Sequence, residues 1–321
     1  MRAAVFQRYG PPSVVGLAEV PEPEPGPHQV VVRVTATTVS AADRRIRAAS
    51  FPRGFAIPAR LAFGLFRPRK KVLGTELTGV VVRVGAQVSR WKVGDEVIAQ
   101  TGAGLGAHAE LVVLPEGGAM ILRPAGLDDH TAAALTFGGT TALHFLRDLG
   151  RLSAGQRVLV IGATGVVGSA AVQLARHFGA EVDATCTSQH AQPVRALGAA
   201  HVLERGADLG RLGARYDLIL DTVGTTSLRQ ARPALTASGR LLMVAADLPA
   251  MLGTVLNPLR RKKAMAGMAP ERPADLALLA ELAVQGVYRP VIDSVFPLHE
   301  IALAHTRADT CGRFGSVVVT M

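Results

Sequence analysis

Short runs of branched apolar residues, separated by turn residues, dominate the first third of the chain. Residues 30–34 (VVVRV) follow the proline-rich stretch 21–27, residues 80–84 follow Gly79, and residues 110–114 (ELVVL) are closed by Pro115. Each run predicts a strand, because branched side chains suit a pleated surface and Gly and Pro punctuate its ends. Residues 93–97 (VGDEV) read as a turn inside a strand pair. Many short strands with frequent turns predict a small barrel or sandwich.

After Pro124 the period changes. Asp128 and Asp129 lead into an alanine-rich stretch through Leu146, with acids placed well for the positive end of a helix. Strand and helix then alternate. Strands are predicted over 157–161, 181–185, 216–220 and 240–244, with helices over 166–178, 191–197 and 228–235. That alternation predicts a doubly wound parallel sheet. A further helix starts at Pro273, carries Leu276, Leu279, Leu282 and Ala283, and stops at Gly286, and a strand is expected over 316–320 (SVVVT).

The sharpest local signal is RVLVIGATGVVGSAAVQLARHFGAEV, residues 157–182. A strand, then Gly162, Gly165 and Gly168, then a helix and a second strand form a βαβ unit. Such a unit suits a dinucleotide, with Ala163, Thr164, Gly165, Val166 and Val167 forming the turn and helix start. Gly165 lets backbone approach a pyrophosphate, Gly168 lets helix and strand pack closely, and the helix N-terminus faces the phosphates. The end of the second strand chooses the nucleotide. An NAD site carries Asp or Glu there to bond the ribose 2′-OH. Here Thr185 is followed by Cys186, Thr187 and Ser188, while Asp183 falls mid-strand. With no carboxylate at the tip, a 2′-phosphate meets hydroxyls and no repulsion, so NADPH is the expected cofactor. His190, Arg195 and Arg205 are the nearby sources of charge.

Composition narrows the class. Length alone, 321 residues, suggests two domains. Two cysteines, Cys186 and Cys311, cannot make a four-cysteine zinc knot. The N-terminal residues lack an apolar signal segment, and the apolar window 158–175 is explained by the strand, glycine turn and helix. The expectation is a soluble, cytoplasmic protein. The net charge of +10 is partly concentrated between Arg44 and Lys71, which hold nine Lys/Arg and no acid, interleaved with Phe51, Phe55, Phe63 and Phe66. A solvated basic loop or helix over an apolar pocket, a lid near a phosphate-bearing cofactor or hydrophobic acceptor, and nucleic-acid or membrane contact all fit that stretch.

Together these residues resemble the medium-chain dehydrogenase/reductase superfamily. The similarity rests on residues 74–81 (GTELTGVV), Val84-Gly85, residues 91–97 (WKVGDEV), Gly139-Thr140-Thr141-Ala142, the glycine turn, Asp221-Thr222-Val223-Gly224 and residues 289–293 (RPVID), in that order over nearly the whole chain. The resemblance implies a GroES-like β-barrel domain over 1–124, completed by 270–321, and a Rossmann NADP-binding domain over 125–269. Zinc-dependent members carry His before the glutamate, where this chain has Thr75, and a cysteine region that here reads residues 39–43 (VSAAD). Their four-cysteine lobe is absent. The chain therefore resembles the zinc-free quinone oxidoreductase branch, which uses NADPH to reduce quinones or α,β-unsaturated carbonyls.

That branch implies site residues. An Asn three residues before an Asp lines its acceptor pocket, and here the pair is Ser40 and Asp43; Glu76 lies on the site side. Thr141 is expected beneath the nicotinamide half of the cofactor, with Val223, Gly224, Val244 and Ala245 after strand C-termini. Arg313 stands in for a lysine that relatives carry near the last strand, and Arg44, Arg45 and the four phenylalanines are expected at the acceptor entrance. The implied partners are a small hydrophobic carbonyl or quinone and a second copy of the chain, with residues 248–259 as an interface or loop. Membrane and nucleic acid are not expected partners. The alternative is a non-catalytic NADPH-binding redox sensor or nucleic-acid-binding protein, favoured by Ser40 in place of Asn and by the +10 charge.

Overall fold

The branched runs pair as antiparallel strands around an apolar interior. The structure, a computed structural model, describes residues 1–255 and 262–321. Strands β1 (Arg2–Phe6) and β2 (Val15–Glu19) form a ribbon, followed by the long β3 (Gln29–Thr38). Helices α1 (Ala41–Ala48) and α2 (Ala56–Phe63) come next, then β4 (Glu76–Val84), β5 (Glu96–Gln100), β6 (Leu111–Pro115) and β7 (Met120–Leu122). β3 lies between β4 and β6, and its alternate residues Val30, Val32 and Val34 point into a core with Leu77, Val81, Val97 and Trp91. Residues 91–95 form the tight turn before β5: Gly94 has φ +96° and Asp95 accepts from the Lys92 amide at 3.0 Å.

Helices α3 (Asp129–Ala134) and α4 (Thr136–Leu143) follow, and α4 runs on as a π-helical segment to Leu149. The βα alternation then unfolds as read: β8 (Arg157–Ile161), α5 (Val166–His177), β9 (Glu181–Cys186), α6 (Ala191–Ala196), β10 (His201–Glu204) and β11 (Tyr216–Asp221). Next come α7 (Leu228–Ala231), β12 (Leu235–Met243), α8 (Leu248–Val255), β13 (Lys263–Ala266) and α9 (Pro273–Val284). The helix expected over 228–235 stops at Ala231. Pro233, which cannot continue a helix, precedes Leu235 at the start of β12. Of the expected segment 248–259, residues 248–255 form α8 and the rest lies outside the described residues.

β14 (Ile292–Pro297), α10 (Ile301–Asp309) and β15 (Ser316–Thr320) return to the antiparallel sheet, where β15 pairs with β3. The parallel sheet runs β10-β9-β8-β11-β12-β13 among the described residues. Its strand order reverses between β8 and β11, and ligands of such sheets bind at the strand C-termini beside that reversal. The apolar faces of α4, α5 and α9 cover one side through Leu143, Ala171, Leu174, Leu276 and Leu279.

Candidate active site

At the reversal, β8 ends in the glycine turn. Gly162 has φ +86°, which suits glycine, and a Cβ there would also come within 2.5 Å of the Val223 side chain. A Cβ at Gly168 would be driven into the carbonyl oxygen of Gly162, so helix and strand touch only because this residue has no side chain. Gly165, the N-cap of α5, differs. A Cβ there meets nothing nearer than the Gly162 oxygen at 3.5 Å. Its open side faces the cleft between the two sheets, into which the free amides of a helix start can direct donors.

The tip of β9 is fixed from below. Thr185 accepts from the Gly162 amide at 3.2 Å, and its carbonyl accepts from the Ala163 amide at 3.1 Å. Asp183 is buried, takes the Tyr216 hydroxyl at 2.7 Å and points away from the tip. Beyond Thr185 come Cys186, whose thiol burial pushes up, then Thr187, 3.1 Å from His190 Nδ1, and exposed Ser188. The Arg205 amide donates to the Cys186 carbonyl at 2.8 Å, which brings that arginine to the side of the tip. Across the reversal, Asp221 is fully buried. It accepts from the amides of Val223 and Gly224 at 2.9 Å and of Thr226 at 2.7 Å, folding the loop that faces the glycine turn.

The other wall is built on α1. Ser40 caps the helix and Asp43 closes a capping box. Asp43 accepts from the Ser40 hydroxyl at 2.6 Å, the Ser40 amide at 2.8 Å and the Gly74 amide at 2.8 Å. The single O–H of Ser40 is thus given to Asp43, and its oxygen lies 3.2 Å from the Thr75 hydroxyl. Glu76 is buried one residue on. It accepts from the hydroxyls of Thr38 and Thr136 and from the Phe137 amide at 2.6 Å. Burial pushes its pKa up to about 7, and the hydroxyl donors pull the other way. Asp43 and Glu76 therefore hold the β3, β4 and α1 ends together from the inside.

Residues 26–124 match the alcohol dehydrogenase GroES-like domain family, and residues 197–319 match the zinc-binding dehydrogenase family. The quinone oxidoreductase of Pseudomonas aeruginosa is 31% identical, over 98% of this chain and 98% of its own. The chain belongs to the medium-chain dehydrogenase/reductase superfamily, in its quinone oxidoreductase branch. The quinone-oxidoreductase QR1, chloroplastic, of Triphysaria versicolor is 29% identical over 99% of this chain and 98% of its own. The solved quinone oxidoreductase of Coxiella burnetii superposes with a TM-score of 0.89 at 26% identity, covering 100% of this chain and 99% of that one. This member of the superfamily is an oxidoreductase, and its branch implies a nicotinamide cofactor.

In this oxidoreductase, Thr164, Gly165, Thr185, Thr187, Val223, Ala245 and Arg313 all line one cleft of about 1300 Å³. Ala163 is buried behind the turn, Val166 and Val167 form the first turn of α5, and Thr141 is buried in α4. Val244 packs into the core, and Ser188 sits outside the lining. Ser40, Asp43 and Glu76 are buried and do not line the cleft, whereas Arg44 and Arg45 do. The phenylalanines expected at the entrance are not among its lining residues. Phe51 and Phe63 stack on each other, 6.2 Å between centroids, and pack on the core under α1. Arg229 and Cys311 line the cleft without any local motif to announce them. Ser40 also carries a structural signal: a Ser-x-x-Asp box marks a helix start, here the start of α1.

Metal ligation has poor support in the donor set. Zinc takes thiolate, imidazole or carboxylate. Behind the wall of the cleft, Ser40 and Thr75 offer neutral hydroxyls already engaged with Asp43 and each other. Among the described residues, one group of three candidate ligands exists, Glu181, Asp183 and His201, at the opposite ends of the strands. There the Arg157 guanidinium lies 2.8 Å from Glu181 and 3.3 Å from Asp183 and balances both.

Proposed function

We propose that this chain is a zinc-independent reductase that uses NADPH to reduce a quinone or an α,β-unsaturated carbonyl. The observation that carries the cofactor choice is the β9 tip: along β9 no carboxylate follows Thr185, and the Arg205 amide, next to Glu204 at the end of β10, is hydrogen-bonded to the Cys186 carbonyl. Bound NADPH would supply a hydride to the acceptor. The glycine turn and the start of α5 would hold the pyrophosphate, Arg313 lies on the same cleft, and Thr187 with Arg205 would take the 2′-phosphate. Val223 and Ala245 offer apolar surface for the nicotinamide half. Ser40, Asp43 and Glu76 are read as positioning residues, because their donors and acceptors are spent on one another and on backbone. An acceptor of this kind needs orientation, exclusion of water and a proton from solvent, and no nucleophile. The missing thiolate and imidazole donors at positions 40 and 75 support chemistry without zinc.

The test is oxidation of NADPH and NADH by chelator-treated protein against 1,4-benzoquinone and a small enone. Turnover that survives chelation and favours NADPH is expected. In Arg205→Ala the preference for NADPH over NADH should fall about tenfold, the worth of one charge-assisted hydrogen bond. Turnover restored only by zinc, or an unchanged preference in the variant, would count against the reading.

A further inference from the structure

The wall of the cleft opposite the glycine turn carries a cation that nothing around it balances. Ala41, Arg44, Arg45 and Ala48 form the face of α1 that lines the cleft. Arg44 donates to one oxygen of Asp309 and Arg47 to the other, each at 2.6 Å, so that carboxylate is fully taken. Asp208, the other acid on the lining, accepts from the Gly210 amide at 2.9 Å and lies 3.4 Å from Arg211. Among the described residues, the partly buried Arg45 side chain makes no ion pair with a carboxylate, while Arg44 and Arg47 both do. Burial and the neighbouring Arg44 both work against its charge, lowering its pKa from the ordinary value. A partly buried guanidinium beside a second cation is stabilised when an anion comes to it.

We propose that Arg45 binds a carboxylate carried by the hydride acceptor, so that the preferred substrates are quinones or enones bearing a carboxylate on their own skeleton. This rests on the reductase reading above. The assignment to the acceptor follows from which wall bears the charge. Arg205 flanks the β9 tip and serves the cofactor side. Arg313, in the loop before β15, donates to the Ala308 carbonyl at 2.6 Å and is engaged by the end of α10. Arg45 comes from α1 across the cleft, where an acceptor stacked on the nicotinamide would lie. A single planar fork matches one carboxylate in two parallel hydrogen bonds. A phosphate dianion would call on further cations, and Arg44 and Arg47 are committed to Asp309. The small side chains of Ala41 and Ala48 leave room on either side of the fork.

The matched probes are (E)-6-oxohept-4-enoate and its methyl ester, in which two methylenes insulate the enone from the carboxyl group, so that the pair differs by one charge. With NADPH, kcat/KM for the acid should exceed that for the ester by about ten- to hundredfold, the range for a hydrogen bond to a charged group. Arg45→Met should erase that ratio through the KM of the acid, with the ester's KM moving by less than about twofold, and Arg45→Lys should restore part of it. Calorimetry on protein saturated with NADP⁺ reads the same acid-to-ester ratio in binding, whatever the turnover. Equal binding of acid and ester by the unmutated protein overturns the inference. So does an Arg45→Met variant that loses NADPH affinity while keeping its preference for the acid. Failure to reduce any acceptor, 1,4-benzoquinone included, counts against the reductase reading, and the binding ratio still decides the role of Arg45.

Discussion

Burial takes the water away from the Glu76 carboxylate, and two hydroxyls and an amide return part of what it loses. The result is a pKa raised from the ordinary 4.5 to about 7. Below the unfolded value the group is neutral in both states and costs nothing. As pH climbs toward 7 the unfolded chain ionises freely while the folded one resists, so folded stability is lost across that window. The difference is about 3 kcal/mol, at roughly 1.4 kcal/mol per pKa unit. Glu76→Gln removes this titration and keeps an acceptor for the Phe137 amide. Chemical denaturation between pH 5 and 8 should therefore show a flatter profile in the variant, and an unchanged slope would mean that other groups set the dependence. At this scale the sequence was only half legible. The resemblance puts Glu76 on the site side, yet its partners Thr38 and Thr136 come from β3 and α4, and no spacing rule joins them.

The glycine turn gives the element scale its sharpest contrast. Gly168 has the Gly162 oxygen where a Cβ would go, whereas Gly165 has open space. Gly168→Ala must push α5 off β8 and should cost about 1–3 kcal/mol of stability, along with cofactor affinity. Gly165→Ala should leave the unfolding midpoint near that of the parent chain and still weaken NADPH binding, because the new methyl occupies cleft space. Thermal melts beside cofactor titrations separate the two, and equal destabilisation would show that the turn acts only as packing. Elements with a clean period were read to within a residue, as with β8, α5 and β15. β10, with two exposed and two half-exposed residues, and β13, which follows a basic run, carry no such period. In α1 three of eight residues are arginines, so the pattern leaves loop and helix open, and the cap carries the signal for a helix.

For the molecule as a whole, charge is the property that reaches furthest. The cleft lining holds Arg44, Arg45, Arg47, Arg205, Arg229 and Arg313 against Asp208 and Asp309. Such a field draws in anionic ligands and is screened by salt, with a Debye length of about 10 Å at 0.1 M. Raising ionic strength should thus raise the KM for NADPH more steeply than that for NADH, which lacks the extra phosphate. Parallel slopes would place the 2′-phosphate outside this field. The sign of the net charge was plain from the sequence, but its focus was not: the arginines that meet in the cleft come from α1, from the end of β10, from α7 and from the loop after α10, and only the fold gathers them. The return of the chain to its first sheet has one more effect, on the order in which the protein is made. The parallel sheet is complete once Ala266 has left the ribosome, whereas the edge of β3 at residues 36–38 stays bare until residues 316–320 emerge. The inner unit can fold while the outer one still waits for its closing strand, and a bare edge invites pairing with any neighbouring chain. Truncation or stalling late in translation therefore exposes the barrel, not the nucleotide fold, to aggregation.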